Sequence, residues 1–407
     1  MNFIMSNYIL AKLSDVFKIL LAPHKIWRLP KKSDVVIYDT TGSSILIDCL
    51  AGFTVTAIAS RGEFVYAWCL FRSIFTRSFW RGRLYDAYLE TCIRVCSPKL
   101  VVTFIDNDLR VYRLHNQFPD IQIMVIQNGI RVDTDPFFKQ LTAFPSAHVD
   151  HLVVFSVADA RMYRRYFPSA VITPIGSLRN NHALKAAHYS ESDTLLFVSQ
   201  YRERSKKGTI VAFDINNQPV TYDEFYSVET VVLKGIAQWV SCNKKKLSIA
   251  GASLSQTGIE GERRFFSERL KGCQWEYRCR LDDLSSYALT DSADIVVCID
   301  STLGYESLSR GSKTAFISCR EGFNSSFGLR DCFPKVGPFW TNRSDIESIK
   351  AVLDLVNAVD NQEWKSLQQT HASDLLVYDS GNIMLKQLMK RVLSGASIES
   401  LSSKAQG

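Results

Sequence analysis

Hydrophobic positions along the chain fall into short continuous runs separated by amphipathic stretches. That is the pattern of strands buried on both faces alternating with helices. In the first half the runs cover residues 34–39 (DVVIYD), 53–59, 99–105, 121–126, 152–155 and 171–175. In the second half they cover 194–198, 246–250, 275–277, 295–299 and 314–317. The intervening periodicity predicts helices at 45–51, 223–241, 281–289 and 344–356, among others. Strand–helix–strand units repeated this way imply parallel sheets. The predicted fold class is therefore α/β, with two Rossmann-like domains whose parallel sheets face an interdomain cleft. The expected divisions are an N-terminal amphipathic helix (1–33), a first domain (34–177), a linker rich in Asn and His (178–193), a second domain (194–378), a C-terminal helix (379–394) and a small, polar, disordered tail (395–407).

Candidate chemistry sits at the carboxyl ends of the apolar runs, where open α/β sheets form their ligand crevice. The most informative stretch is Asp294 to Ile317, DIVVCIDSTLGYESLSRGSKTAFI. Its strand ends in Asp300, Ser301 and Thr302; a Leu303-Gly304 turn and a helix opening at Tyr305-Glu306 follow. Unsatisfied N–H groups at a helix start attract a phosphate. Ser301 and Thr302 can donate to the same phosphate or cap the helix. Glu306, about one turn further in, would reach two vicinal sugar hydroxyls. An ordinary capped helix behind a buried strand reads the same residues equally well.

Three more strand ends carry polar clusters: Asp106-Asn107-Asp108, Gln127-Asn128-Gly129-Ile130-Arg131 and Ser199-Gln200-Tyr201-Arg202. Asp106 and Asp108 serve equally as helix caps, and Asn128-Gly129 as a turn. Arg202 supplies the charge a phosphate contact needs. Glu260, Glu262 and Arg263 open a further helix, and residues 203–220 read as a charged, mobile insertion, a lid or surface loop.

Composition narrows the class. A chain of 407 residues, 46% hydrophobic and 22% charged, can bury two ordinary domains. The net charge of +7 suits an anionic ligand or an anionic membrane surface, without the charge density of a dedicated nucleic-acid binder. Four of the ten cysteines, Cys49, Cys69, Cys298 and Cys319, lie inside apolar runs, as buried free thiols do. The seven histidines make no HExxH pattern of the zinc-hydrolase type, so no metal is expected. No GxGxxG follows the first strand, which leaves a dinucleotide fingerprint unsupported. Without a membrane-length apolar segment or a signal peptide, the expected location is cytoplasmic.

The first 32 residues place Ile9, Leu13, Val16, Phe17, Leu20 and Leu21 on one helical face among lysines, fit either to lie in a membrane interface or to pack on the first domain. Between Glu63 and Asp86, Arg72, Phe75, Arg77, Phe79, Trp80, Arg81 and Arg83 alternate aromatic and cationic groups with no acid. A membrane-facing or acceptor-lipid surface fits that stretch better than nucleic acid, and a solvated helix fits it equally.

Asp300-Ser301-Thr302-Leu303-Gly304-Tyr305-Glu306 followed by Arg310-Gly311 resembles the C-terminal nucleotide-binding motif of GT-B glycosyltransferases. There the small-residue turn holds the donor phosphates and the glutamate holds the ribose. The chain also resembles bacterial surface-carbohydrate (O-antigen, capsule, lipopolysaccharide) biosynthesis proteins. That likeness is carried by Ile126 to Arg131, Pro174-Ile175-Gly176-Ser177 with Asn180-Asn181, and Ser199 to Arg202, over roughly residues 100–340.

The resemblance implies a GT-B-like pair of domains, the first for the acceptor and the second for the donor. It implies a metal-independent glycosyltransferase with no cofactor beyond a nucleotide-sugar co-substrate. The partners would be that donor, a polysaccharide or lipid-linked acceptor and the inner face of the cytoplasmic membrane, with no nucleic acid. Gln127, Asn128, Gly129, Arg202, Ser301, Thr302, Leu303, Gly304 and Glu306 would hold the nucleotide-sugar. Asp106, Asp108, Glu262 and Arg131 are the catalytic candidates. A CMP-Kdo-type transferase, a teichoic-acid-type polyol-phosphate transferase, a UDP-sugar 2-epimerase and a non-catalytic nucleotide- or carbohydrate-binding scaffold remain alternatives.

Overall fold

Where apolar residues run without alternation, the strand has no solvent face, and both sides must be covered by helices. Val35, Val36 and Ile37 are wholly buried, as are Leu100, Val101 and Val102. A computed structural model describes residues 22–81, 84–131, 136–144, 146–185, 191–201, 208–214, 216, 218–320 and 335–396. The first half supplies β1 (His24–Ile26), β2 (Val35–Ile37), β3 (Val55–Ala57), β4 (Phe64–Tyr66), β5 (Leu100–Thr103), β6 (Gln122–Ile126), β7 (His151–Val154) and β8 (Val171–Pro174). Six of these form one parallel sheet in the order β3-β2-β5-β6-β7-β8.

The second half adds β9 (Glu191–Val198), β10 (Ile210–Phe213), β11 (Pro219–Thr221), β12 (Lys246–Ala250), β13 (Trp275–Arg278), β14 (Ala293–Cys298), β15 (Thr314–Ile317), β16 (Val336–Gly337) and β17 (Trp340–Thr341). Its seven-stranded sheet runs β13-β12-β9-β14-β15-β17-β16, parallel except for β16. The two sheets make the Rossmann-like pair of a GT-B fold.

Each sheet reverses its winding once. In the first, the chain moves from β2 to β3 and then returns to lay β5 on the other side of β2. In the second, β9, β12 and β13 progress one way before β14 returns beside β9. At such a reversal the loops leaving neighbouring strands diverge and open a crevice. The loops after β9 and β14 begin at Ser199 and Ile299; those after β2 and β5 begin at Tyr38 and Phe104.

The chain crosses back to the first domain near its C-terminus. Val377 donates its N–H to the Phe155 carbonyl at 2.8 Å. Gly176 lies under this crossing with φ +93°, and a Cβ there would sit 2.0 Å from the Val377 oxygen. Only glycine fits both the backbone angle and the gap. Leu385, Leu388, Met389 and Leu393, on helix Ile383–Ser394, then join the core of Val35, Ile37, Leu46 and Leu178.

Several expectations about local structure are corrected. Residues 24–26, placed at the end of an N-terminal helix, form β1 and pair in parallel with β4; residues 1–21 lie outside those described. The expected mobile insertion contains an antiparallel hairpin of β10 and β11, which leads through the capping box of Thr221 and Glu224 into helix Tyr222–Asn243. The turn drawn at Leu303-Gly304 is already helical, because the helix opens at Thr302. The expected linker begins with a short helix, Leu178–His182, whose Asn180 and Asn181 are buried. Of the tail, residues 397–407 lie outside those described.

Candidate functional site

The loops after β9 and β14 border a cleft of about 460 Å³ between the domains. The second domain contributes Ser199, Gln200 and Tyr201, Gly251 and Ala252 after β12, Arg280 and Asp283 after β13, and Ser301 to Leu303 with Glu306. The first domain contributes Phe104, Asn128, Ser177 and Arg179. The four second-domain strand ends that face this space are thus those of the progression β9-β12-β13 and its reversal at β14. Winding order, not proximity in sequence, assembles the site.

Its electrostatics favour an anion. Helix Thr302–Ser309 starts with Ser301 in extended conformation and without a side-chain cap on its first turn. The N–H groups there carry the positive end of the helix dipole toward the cleft. Two arginines converge on Asp283: Arg280 donates to it at 2.9 Å and Arg179, from the other domain, pairs with it at 3.3 Å. Asp283 is itself largely exposed, whereas both guanidiniums are about three-quarters shielded. A phosphate can therefore replace or share this carboxylate on an arginine fork already in place.

Glu306 lies at the floor. It is buried, accepts a hydrogen bond from the Ser177 hydroxyl at 2.5 Å and another from the Tyr287 phenol. Burial pushes its carboxyl up to about 7, against the pull of those donors and of Arg179 and Arg310. Ser177 belongs to the first domain, so Glu306 ties the two domains beneath the cleft. Gly304 faces the other way: a Cβ there would lie 2.1 Å from the Cys298 sulfur, so glycine lets the helix press on β14 and makes no ligand contact.

Of the expected binding residues, the structure brings Asn128, Ser301, Thr302, Leu303 and Glu306 to the cleft. Gln127 is buried beside it, where its side chain accepts from Phe155 N–H and donates to the Gly129 carbonyl, shaping the loop after β6. Gly129 serves that same loop. Arg202 lies outside the described residues.

The expected catalytic carboxylates are all engaged in structural contacts. Asp106 is fully buried and takes two bonds from Arg131 (2.9 and 2.6 Å), one from Tyr163 (2.8 Å) and one from Asn128 N–H (3.4 Å). Each oxygen thus has two donors and no lone pair left to take a substrate proton. Arg131 is correspondingly fixed against Asp106 and Asn128. Asp108 forms a two-pronged pair with Arg110, which also reaches the Ser60 carbonyl.

Glu262 is fully buried on helix Gln256–Arg269 and accepts from Ser199, Ala252 N–H, Ser253 N–H and Tyr277. It pins the ends of β9, β12 and β13 together. Neither it nor Asp106 or Asp108 lines the cleft. The carboxylates that do, among the described residues, are Asp283 and Glu306.

Two buried ion pairs brace the site from behind. Arg310, at the end of helix Thr302–Ser309, pairs with Asp291 and donates to the carbonyls of Asn180, Ala183 and Leu184. Its motif position next to Gly311 therefore serves the interdomain connection. Arg320 joins Asp300 (3.0 Å), Gln200 (3.1 Å) and Glu229 (3.1 Å), linking the ends of β14 and β9 to helix Tyr222–Asn243. Burial pushes Glu229 up to about 7.

Arg179, Arg280, Asp283 and Tyr287 were not singled out in the sequence. The same strand-end rule that selected Ser199 and Ser301 points to Arg280, two residues past β13. A cluster of His115, His148 and Asp150, whose ligand-type atoms all lie within 4.8 Å, gathers elsewhere, at the amino-terminal edges of β6 and β7. The histidine rings stack at 3.8 Å and His148 bonds Asp150 at 3.2 Å.

Residues 124–393 match the O-antigen biosynthesis protein family. No curated protein matches the chain in sequence. Among solved structures, a Listeria monocytogenes protein assigned as a UDP-N-acetylglucosamine 2-epimerase is similar in fold, with TM-score 0.54 and 11% identity, over 92% of this chain and 97% of that one. Anabaena HepE, in complex with UDP and glucose, aligns with TM-score 0.52 and 12% identity over 94% and 95%. The wall teichoic acid polymerase TagF, soaked with CDPG, aligns with TM-score 0.50 and 10% identity over 96% of each chain.

Proposed function

The chain belongs to this O-antigen biosynthesis protein family, and from that premise we propose that it is a glycosyltransferase, moving a sugar from a nucleotide donor to a growing polysaccharide or lipid-linked acceptor. The observation that carries the reading is the pair of arginines, Arg179 and Arg280, converging beside the uncapped start of helix Thr302–Ser309. Sugar transfer from a nucleotide leaves a diphosphate or phosphate whose charge grows as the glycosidic bond breaks. Preoriented cations and a helix N-terminus stabilise that charge without reorganising. Glu306, on the cleft floor, would bond the ribose hydroxyls in exchange for Ser177. HepE with UDP and TagF with CDPG, similar in fold, carry nucleotide ligands.

No metal is required in this scheme, since the leaving charge is met by arginine and backbone. A thermal-shift screen against UDP, GDP, CMP, CDP and dTDP, repeated with Glu306→Ala, tests the reading. One nucleotide should stabilise the wild type and not the variant; equal stabilisation of both would remove Glu306 from the site. Release of free nucleotide on adding an acceptor then indicates transfer.

A second reading is favoured by one observation. Because Asp106, Asp108 and Glu262 are all committed to structural bonds, a protein that binds a nucleotide-sugar without turnover fits the same cleft. Binding with neither nucleotide release nor sugar interconversion would select it; interconversion alone would select an epimerase.

A further inference from the structure

Large aromatic side chains rarely stay in water together, and five do so on one side of the first domain. Phe75 is 88% exposed, Trp80 76% and Trp27 66%, with Trp68 and Phe71 about half exposed. Three of them are joined directly. The Trp68 indole donates to the Trp27 carbonyl at 3.0 Å, and its ring lies 5.8 Å from that of Phe71. Trp27 follows β1 directly, Trp68 and Phe71 lie on helix Ala67–Ser73, Phe75 between that helix and the next, and Trp80 at the end of helix Arg77–Trp80; on the first helix Cys69 is buried in the core while Trp68 and Phe71 face out. Clustered exposed aromatics of this kind mark an interaction surface.

Beside them opens a groove of about 960 Å³, bordered by Phe75 and Leu29 and by Lys32, Arg72, Arg77, Arg81 and Arg94. Glu90 is the acid that lines it among the described residues. The Ser78 hydroxyl lies 2.9 and 2.8 Å from the two oxygens of Glu90, and burial raises the pKa of this single acid, which faces five cations. Aromatic rings that enter an interface, ringed by cations at the depth of phosphates, are the chemistry of bilayer attachment. A protein partner would be met by mixed polar groups around an apolar centre; here five cations stand against one acid.

We propose that this face docks the protein on an anionic lipid bilayer, with the aromatic side chains in the headgroup layer and the arginine-lined groove receiving lipid phosphates. The inference is independent of whether the cleft transfers sugar. It would bring a lipid-linked substrate to the first domain, and no described helix is long and apolar enough to cross a membrane.

Co-sedimentation of the full chain with vesicles of phosphatidylcholine alone, and of phosphatidylcholine with phosphatidylglycerol, tests it. The wild type should bind the anionic vesicles and release as salt is raised. Arg72→Glu with Arg77→Glu, and separately Phe75→Ser with Trp80→Ser, should each weaken binding roughly tenfold or more. Both pairs are surface changes, so their melting temperatures should match the wild type, and that control separates lost docking from lost folding. Absence of binding, equal binding to neutral vesicles, or undiminished binding by both folded variants would overturn the proposal. So would a dimer in light scattering that the Phe75→Ser, Trp80→Ser variant converts to a monomer, which would make the face an interface between copies.

Discussion

The two sheets end in differently used loops. In the first domain, the acids at the strand ends are tied to groups of their own domain: Asp39 to Ser60 and Arg61, Asp106 to Arg131 and Tyr163, Asp108 to Arg110. In the second domain, Glu262 and the Arg320 cluster are tied in the same way, but one row in front of them is left open. There the helix start at Ser301 has no side-chain cap, and Arg280 shares its partner Asp283 with an arginine from the other domain. Buried, saturated charges hold shape; half-shielded charges with an exchangeable partner hold ligands. The contrast assigns rigidity to one side of the cleft and binding to the other.

The largest effect should come from the brace between them. Arg310→Ala removes one partner of a wholly buried pair and strands Asp291 and three linker carbonyls. A loss of about 3–5 kcal/mol in denaturant unfolding is expected. A loss below about 1 kcal/mol would mean the connection holds without it. Asp106→Asn should cost about 2 kcal/mol or more, since Arg131 keeps its charge and loses its counterion. If the variant instead keeps its stability and loses only turnover, Asp106 belongs to the chemistry and the contrast between the domains fails.

Arg280→Ala should do the reverse. Nucleotide affinity should fall about tenfold, as for one charged hydrogen-bonded contact, with unfolding stability within about 0.5 kcal/mol of wild type. Isothermal titration and chemical denaturation on the same preparation give both numbers.

The smallest effect concerns pH. Glu306 has its folded pKa raised from 4.5 to about 7 by burial. Its protonated form is therefore the one the fold favours. The stability it contributes is complete below the unfolded pKa and is lost as pH rises through about 7. Glu306→Gln, uncharged throughout, should flatten the decline between these values by on the order of 1 kcal/mol. Glu229, raised to about 7 as well, adds to the slope in the same window. Melting curves across that range, with no change between the variant and wild type, would show that Glu306 is solvated.

Much of the architecture was legible because fully buried parallel strands have no alternation to disguise them. The run at 99–105 contains β5 and that at 295–299 overlaps β14, and the polar turn that ends the second does face the cleft. The chemistry was less legible, for a physical reason: a carboxylate looks available until its partners are known. Asp106 meets Arg131 and Tyr163, and Glu262 meets Ser199 and Tyr277, through contacts between strand ends that no local pattern encodes. Arg179 and Arg280 escaped notice because each is an ordinary surface arginine until the two domains set them on one aspartate. The helix start at Thr302 was placed three residues late because Leu303-Gly304 reads as a turn; Gly304 lies inside the helix, where its missing Cβ leaves room for Cys298.

Calorimetric titration of wild type, Arg280→Ala and Asp106→Asn with the nucleotide that gives the largest thermal shift tests the central claim most directly. The open row in front of the second sheet predicts saturable binding by wild type and by folded Asp106→Asn with similar affinity, and about tenfold weaker binding by Arg280→Ala. Unchanged affinity in Arg280→Ala, with loss of binding in a folded Asp106→Asn, would contradict it and put the ligand on the first domain instead.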